Sequence, residues 1–408
     1  MSHYKPYTAY KESGVGWIEP IPKHWDIVRI KRFTTLNTAR TSEARDNIPY
    51  IGLEDVESGS GKYAPTESNS RQSDTSTVGV FSKGQVLYGK LRPYLRKAII
   101  TDFDGVCSTE FLALQPDRVL PELLQNWLLS PHVTQQIEST CEGAKMPRAD
   151  WEGIGNILMP LPPVEEQIVI RDRTRAEASR IDTLISKKAR FIELLKEKRQ
   201  ALITHAVTKG LNSDVKMKDS GVEWIGEIPE HWKIAQFRRL VSIKNGSDHK
   251  DIEAEKGFPV YGSGGVFSYA TNYIYDGESV LLGRKGTIDK PLYVNEKFWT
   301  VDTMYWTQIM PNVNGKFCYY IAKTIPFDYY ATNTARPSMT QTDLGSHLVA
   351  FPDRSEQSRI ASALDFESTR IDELISKTQK SIDLLKERRS AFITAAVTGQ
   401  IDLQGEPA

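Results

Sequence analysis

The chain is written twice, and that duplication constrains its fold more than any other feature. "SGVGWIEPIPKHW" at 13–25 returns as "SGVEWIGEIPEHW" at 220–232, identical at nine of thirteen positions. "IDTLISKKARFIELLKEKRQALITHAVT" at 181–208 returns as "IDELISKTQKSIDLLKERRSAFITAAVT" at 371–398, identical at eighteen of twenty-eight. Trp17 maps to Trp224 at an offset of 207, whereas the closing segments are offset by 190, so the stretch between them is 17 residues shorter in the second copy. Each copy is a short opening motif, a divergent body and a long closing segment. The first spans about 1–209 and the second about 210–408.

The closing segments predict long helices. No Gly or Pro interrupts 164–209 or 354–398, and Gly210 and Gly399 stand where helix stops belong. Apolar residues recur in a 4-3 rhythm at Ile181, Ile185, Ile192, Leu195 and Leu202, and again at Ile371, Ile375, Ile382, Leu385 and Phe392. Lys188, Arg199, Thr378 and Arg389 fill the gaps in the two series, giving a heptad seam with polar positions of the kind that fix register. The matching seams argue that the two helices pair with each other. Antiparallel pairing suits the chain order. Parallel pairing would make residues 210–220 cross a rod of roughly 60 Å, whereas eleven extended residues reach only about 36–40 Å. The expected fold class is α+β: two mixed α/β bodies in pseudo-two-fold arrangement, joined by two long helices forming an antiparallel coiled coil. The expected boundaries are 1–163 and 211–353 for the bodies, 164–210 and 354–399 for the helices, and 400–408 for a tail.

Candidate chemistry lies in the bodies. "GQVLYGKLRPY" at 84–94 has G-x-x-x-x-G-K spacing, but Leu91 stands where a P-loop needs Ser or Thr, and Pro93 opposes the helix that should follow. What remains is a strand bearing Lys83, Lys90, Arg92, Arg96 and Lys97 with no acid among them. It has a counterpart in "GESVLLGRKGTIDKP", where Gly283-Arg284 matches Gly89-Lys90. Glycine there lets backbone approach a ligand, and the adjacent cations suit phosphate or guanine. Each body ends in a basic, Pro-containing loop, "CEGAKMPRADW" at 141–151 and "TNTARPSMTQTDL" at 332–344. "VYGSGGVFSY" at 260–269 reads as a flexible loop able to follow a nucleic-acid backbone. The candidate DNA contacts of the first body are Lys83, Tyr88, Lys90, Arg92, Lys145 and Arg148. Those of the second are Tyr261 and Ser263, then Arg284, Lys285 and Lys290, then Arg336 and Ser338.

Lys+Arg and Asp+Glu both total 52, so any basic footprint is local. No H-E-x-x-H, G-x-S-x-G or clustered Cys/His spacing points to catalysis or a metal. Glu165 and Glu166 are expected to open the first helix, where acids suit its dipole. His24 and His231, beside Trp25 and Trp232, read as structural. The N-terminal "MSHYKPYTAY" has no apolar core, and no apolar run nears the ~18 residues of a membrane span, so a cytoplasmic protein is expected. Cys107, Cys141 and Cys318 form no C-x-x-C and read as incidental thiols.

On these residues the whole chain resembles the specificity subunit of a type I restriction–modification enzyme. The carriers are "GWIEPIPKHW"/"EWIGEIPEHW", "LYGKLRPYLRKA", "CSTEFLALQP", "LLGRKGTIDKPLYVNE", "LPPVEEQ" and the paired closing helices. The resemblance implies two target recognition domains, each reading one half of a split site on double-stranded DNA. It implies a coiled coil that spaces them and docks two modification (methyltransferase) subunits, joined by restriction (translocase-nuclease) subunits. S-adenosylmethionine, and ATP with Mg, would be bound by those partners, with no cofactor and no catalysis in this chain. One departure is that "LPPVEEQ" becomes "FPDRSEQ" in the second copy, which puts in doubt whether the two helix starts make equivalent contacts. A stand-alone DNA-binding regulator, a protein-only scaffold and an enzyme in its own right are the alternative readings.

Overall fold

The computed structural model describes residues 5–42, 48–66, 77–141, 146–330 and 338–405. The chain divides into two compact units, residues 1–187 with 381–408, and residues 188–380. Each unit therefore holds one body, the adjoining half of the helix that follows that body, and part of the other long helix.

In unit 1 two four-stranded sheets form the body. One runs Arg40–Thr41, Val78–Phe81, Gly105–Cys107, Tyr50–Ile51; the other runs Thr34–Asn37, Phe111–Pro116, Val86–Gly89, Ala98–Ile100. Helices Pro121–Leu128 and Pro131–Ser139 follow, each opened by Pro at its first position, where the missing N–H is no loss. In unit 2 a single seven-stranded sheet runs Val241–Asn245, Met304–Ile309, Tyr275–Gly283, Leu292–Thr300, Phe258–Gly262, Gly265–Ala270, Glu253–Ala254. "VYGSGGVFSY" is thus not a loop. It forms the two strands of a hairpin with a bulge at Val260/Tyr261, because alternating Val, Tyr and Phe outweigh three glycines once neighbouring strands supply partners.

The long helices are Val164–Lys209 and Arg354–Val397. Both end in a glycine with left-handed backbone, Gly210 at φ 77° and Gly399 at φ 76°, which L residues resist. Every seam position is buried or half-buried, while the residues on either side of each are mostly exposed. Within unit 1 ion pairs tie the two helices together, Arg388 to Glu177 at 3.0 Å and Arg389 to Asp182 at 3.3 Å. Within unit 2, Arg199 pairs with Asp372. Asp182 and Asp372, and Arg199 and Arg389, are repeat equivalents, so each helix contributes the same arginine to the other's aspartate. Of the polar gaps in the seam, Arg199 and Arg389 hence carry register as ion pairs.

The helix ends complete the cores. Phe392, Ala395, Ala396, Val397, Ile401 and Leu403 join the unit 1 core around Trp25, Phe33 and Trp127. Ile203, Ala206 and Val207 join the unit 2 core around Trp232, Phe237 and Phe317.

The two helix starts share most contacts despite their different sequences. Gln167 accepts from Leu120 N–H at 2.9 Å and Gln357 from Asn314 N–H at 2.9 Å. His24 Nε2 lies 2.7 Å from Glu166 Oε2, and His231 Nε2 lies 2.8 Å from Glu356 Oε2. Glu166 thus ties the opening motif to the first turn, beyond any dipole effect. The contacts around the tryptophan are not shared. Trp25 N–H donates to Glu166 at 3.0 Å, as does the Tyr7 hydroxyl, whereas Trp232 N–H has no partner among the described residues.

Candidate nucleic-acid interface

Both units build the same junction where a basic strand end meets a loop. In unit 1 strand Val86–Gly89 runs into Lys90, whose N–H donates to Glu110 O at 2.9 Å. Ala149 N–H then donates to Lys90 O at 2.9 Å, and Arg92 N–H to Pro147 O at 2.9 Å, so Leu91 and Arg148 bridge antiparallel. In unit 2 strand Tyr275–Gly283 runs into Arg284, whose N–H donates to Thr303 O at 2.9 Å. Met339 N–H donates to Arg284 O at 3.1 Å, and Lys285 and Ser338 bridge antiparallel. The basic loops named in the sequence are therefore stitched to the basic strands. Beyond each stitch a short helix begins on a side-chain cap, Asp150 accepting from Gly153 N–H at 2.7 Å and Thr340 from Asp343 N–H at 3.1 Å.

The turn Thr300–Met304 gathers the rest of the unit 2 candidates. Tyr261 O accepts from Val301 N–H at 3.2 Å and from the Thr300 hydroxyl at 3.1 Å, and Thr303 O accepts from Arg284 and Lys285. Tyr261, Arg284, Lys285 and Ser338 thus converge, while Ser263 lies two residues beyond Tyr261 in the hairpin turn. Tyr261 is itself committed, its hydroxyl donating to Glu296 at 2.6 Å; burial and this bond push its pKa up. The Arg284 guanidinium lies over the Tyr305 ring and donates to Asp302 O at 3.2 Å. Lys290 is exposed on the connection to Leu292–Thr300, outside this cluster.

In unit 1 the structure brings together Lys90, Arg92 and Arg148. Lys83 is exposed at the opposite end of the strand, its N–H on Asp104 at 2.7 Å. Tyr88 is not at the surface: it is fully buried in the core, because Val86–Gly89 is covered on both faces. Burial raises its pKa. Lys97 also turns inward, donating to Leu53 O at 2.6 Å. Lys145 and Arg336 lie outside the described residues. The paired glycines have a different role from the one expected. Both are buried, and a Cβ on Gly283 would stand 2.3 Å from Thr287 O, one on Gly89 2.9 Å from the Leu53 side chain. They make room for the protein's own chain and leave no space for a ligand.

Two residues were not legible as site members. Glu110 lies 20 positions from Lys90, and its carboxylate accepts from the Arg148 guanidinium at 2.9 Å. Thr303 is its unit 2 equivalent. Arg92 and Arg96 carry left-handed backbone at φ 54° and 47° around the turn Pro93–Leu95, holding Tyr94 half exposed between them. No group of His, Cys, Asp and Glu able to hold a metal occurs among the described residues, and no described helix is long and apolar enough to cross a membrane.

A family model for the type I restriction modification DNA specificity domain matches residues 229–384. The type I restriction enzyme EcoDI specificity subunit of Escherichia coli is 26% identical over 165 residues, which are 40% of this chain and 37% of that protein. The type I restriction enzyme MjaVIII specificity subunit of Methanocaldococcus jannaschii is 25% identical over 245 residues, 57% of this chain and 53% of that protein. The match therefore spans between about a third and about half the length of these curated relatives. Two solved structures share the fold. A chain described with the complex assembly and conformational transition of the type I R-M system superposes with a TM-score of 0.73 at 18% identity, covering 93% of this chain and 99% of that one. The HsdS subunit from Thermoanaerobacter tengcongensis gives 0.53 at 18% identity, covering 93% and 98%.

Proposed function

We propose that this chain, a type I restriction–modification specificity subunit, reads double-stranded DNA in two parts, one half-site per body, and leaves methylation and cleavage to partner subunits. The observation that carries this is the repeated junction: two equivalent backbone bonds and one equivalent bridge around Lys90 and Arg284, with different side chains on the same frame. A duplicated frame fits two related docking modes, and divergent side chains fit two different base sequences.

The long helices supply the second element of the reading. The Arg199–Asp372 and Arg389–Asp182 pairs set an antiparallel register. Leu184, Leu194, Leu374 and Leu384 are exposed at equivalent positions of the two repeats, apolar surface suited to two copies of a modification subunit. S-adenosylmethionine would enter with those subunits, and ATP with Mg through restriction subunits. The cations of 187–199, six against two acids, suit either spacer phosphates or acidic partner surfaces. The cytoplasm is the compartment this role requires.

The test uses the assembled methyltransferase complex and methylation mapping by long-read sequencing. One heptad inserted in each long helix adds about 10 Å of helix, or about three base pairs. The methylated half-sites should stay the same while the gap between them widens. A folded, active variant with an unchanged gap removes the helices as the spacer, and altered half-sites place base reading on the helices.

A further inference from the structure

The two junctions differ in one feature that the shared frame does not require. In unit 1 the Arg148 guanidinium donates to Glu110 Oε1 at 2.9 Å, an ion pair beside Lys90 and Arg92. In unit 2 the same two positions carry Thr303 and Ser338, and the backbone bonds form equally well. The ion pair is therefore not needed to build the junction, and the duplication serves as its own control.

The carboxylate is also oddly placed for a phosphate-binding surface. A negative charge among Lys90, Arg92 and Arg148 weakens their attraction for a polyanion, so plain affinity gives no reason for it. Its second oxygen, Oε2, is shut away from solvent and has no partner among the described residues. A shielded acceptor left unpaired is costly, which favours a state in which it finds a donor. Phosphates offer none. The donors on a duplex are the exocyclic amines of its bases, and carboxylates pair with cytosine N4 in the major groove. The covering group is Arg148, whose side chain is 60% exposed against 23% for Glu110, so the guanidinium is the partner free to swing away.

We propose that Glu110 is a specificity-determining residue of unit 1, accepting from a base exocyclic amine, cytosine N4 or adenine N6, in that unit's half-site. Arg148 covers it in the free chain and is drawn off by a backbone phosphate when DNA binds. Thr303, a hydroxyl able to donate or accept, holds the equivalent post in unit 2. This deepens the reading above and rests on it.

The experiment uses the complex with its modification subunits and a library of bipartite duplexes with both half-sites randomised, the selected sequences being read by sequencing. The wild type should select a base with an exocyclic amine at one position of the half-site read by unit 1. Glu110→Gln and Glu110→Thr should relax that position about 5- to 150-fold and leave the other half-site unchanged. The second variant copies a residue the frame already accepts in unit 2. Arg148→Ala should weaken binding evenly across sequences and lower the salt slope by about one, with the preference retained. Unchanged preference in both Glu110 variants, or changes in both half-sites, overturns the proposal. A wild-type complex that selects no bipartite sequence overturns the two-part reading itself, a failure visible before any variant is made.

Discussion

Unit 1 and unit 2 agree where they touch the long helices and disagree where their sheets carry the candidate interface. Both pair a strand after the opening motif with the strand before the helix, Asp26–Arg29 with Leu158–Leu161 and Lys233–Gln236 with Leu348–Phe351, in the same register. Both hold a histidine on the first-turn glutamate and a glutamine on the preceding loop. The sheets beyond are another matter: two of four strands in unit 1, one of seven in unit 2. The helix-facing part must meet the same helix sequence in each unit and is held fixed by it. The sheet faces no repeated partner within the chain and is free to diverge. The junction at Lys90 and Arg284 stands at the boundary, with fixed backbone and variable side chains.

The glycines of that junction should break the comparison most sharply. Ala at 283 forces a Cβ against Thr287 O at 2.3 Å and Ile288 Cα at 2.7 Å, backbone that cannot yield without shifting the strand. Ala at 89 meets the tip of Leu53 at 2.9 Å, a side chain that can turn away. Gly283→Ala should cost about 3 kcal/mol and Gly89→Ala about 1 kcal/mol, read from urea midpoints or from hydrogen exchange resolved by unit. Equal costs would mean that the two frames are equally pliant.

A pH difference follows next. His347 occupies the unit 2 position held by Ile157 in unit 1, both carbonyls accepting the equivalent N–H, from Phe237 and from Ile30. It is 1% exposed, and burial lowers its pKa from the ordinary 6.5 to about 4. The unfolded chain binds the proton first as pH falls. The neutral imidazole's contribution is therefore complete above about pH 6.5 and is lost on descending to about pH 4, by up to about 3 kcal/mol. Unfolding of wild type and His347→Leu compared at pH 7 and pH 5 should show the steeper acid loss in the wild type, confined to unit 2. Parallel losses would remove the histidine as its source.

A smaller difference separates the tryptophans. Trp25→Phe removes an N–H bond to the Glu166 carboxylate, while Trp232→Phe removes an N–H with no partner among the described residues. The loss of ring volume is common to both. The first should therefore cost about 2 kcal/mol more than the second, measured by thermal unfolding. A difference near zero would mean that the bond contributes nothing net to folding.

The legible part of the fold was what depends on local period. The heptad series at Ile181–Leu202 and Ile371–Phe392 gave the helices, the stops at Gly210 and Gly399, and the antiparallel pairing. The strand series gave "GQVLYGKL" and "PLYVNEKFWTV". Of the candidate interface, Lys90, Arg148, Arg284, Lys285 and Ser338 stand out in the sequence, and the structure draws them into two equivalent junctions. Tyr88 was misplaced because alternation tells in from out only when one face of a sheet is open, and this strand is covered on both.

The duplication, the helices and their stops were set by the sequence alone, since each rests on residues within a few turns of one another. Only the tertiary structure decided which side chains share a junction. Glu110 reaches Arg148 across 38 positions through the register of two strands and a loop. That register follows from the packing of the sheet on its core, and no local pattern of residues records it.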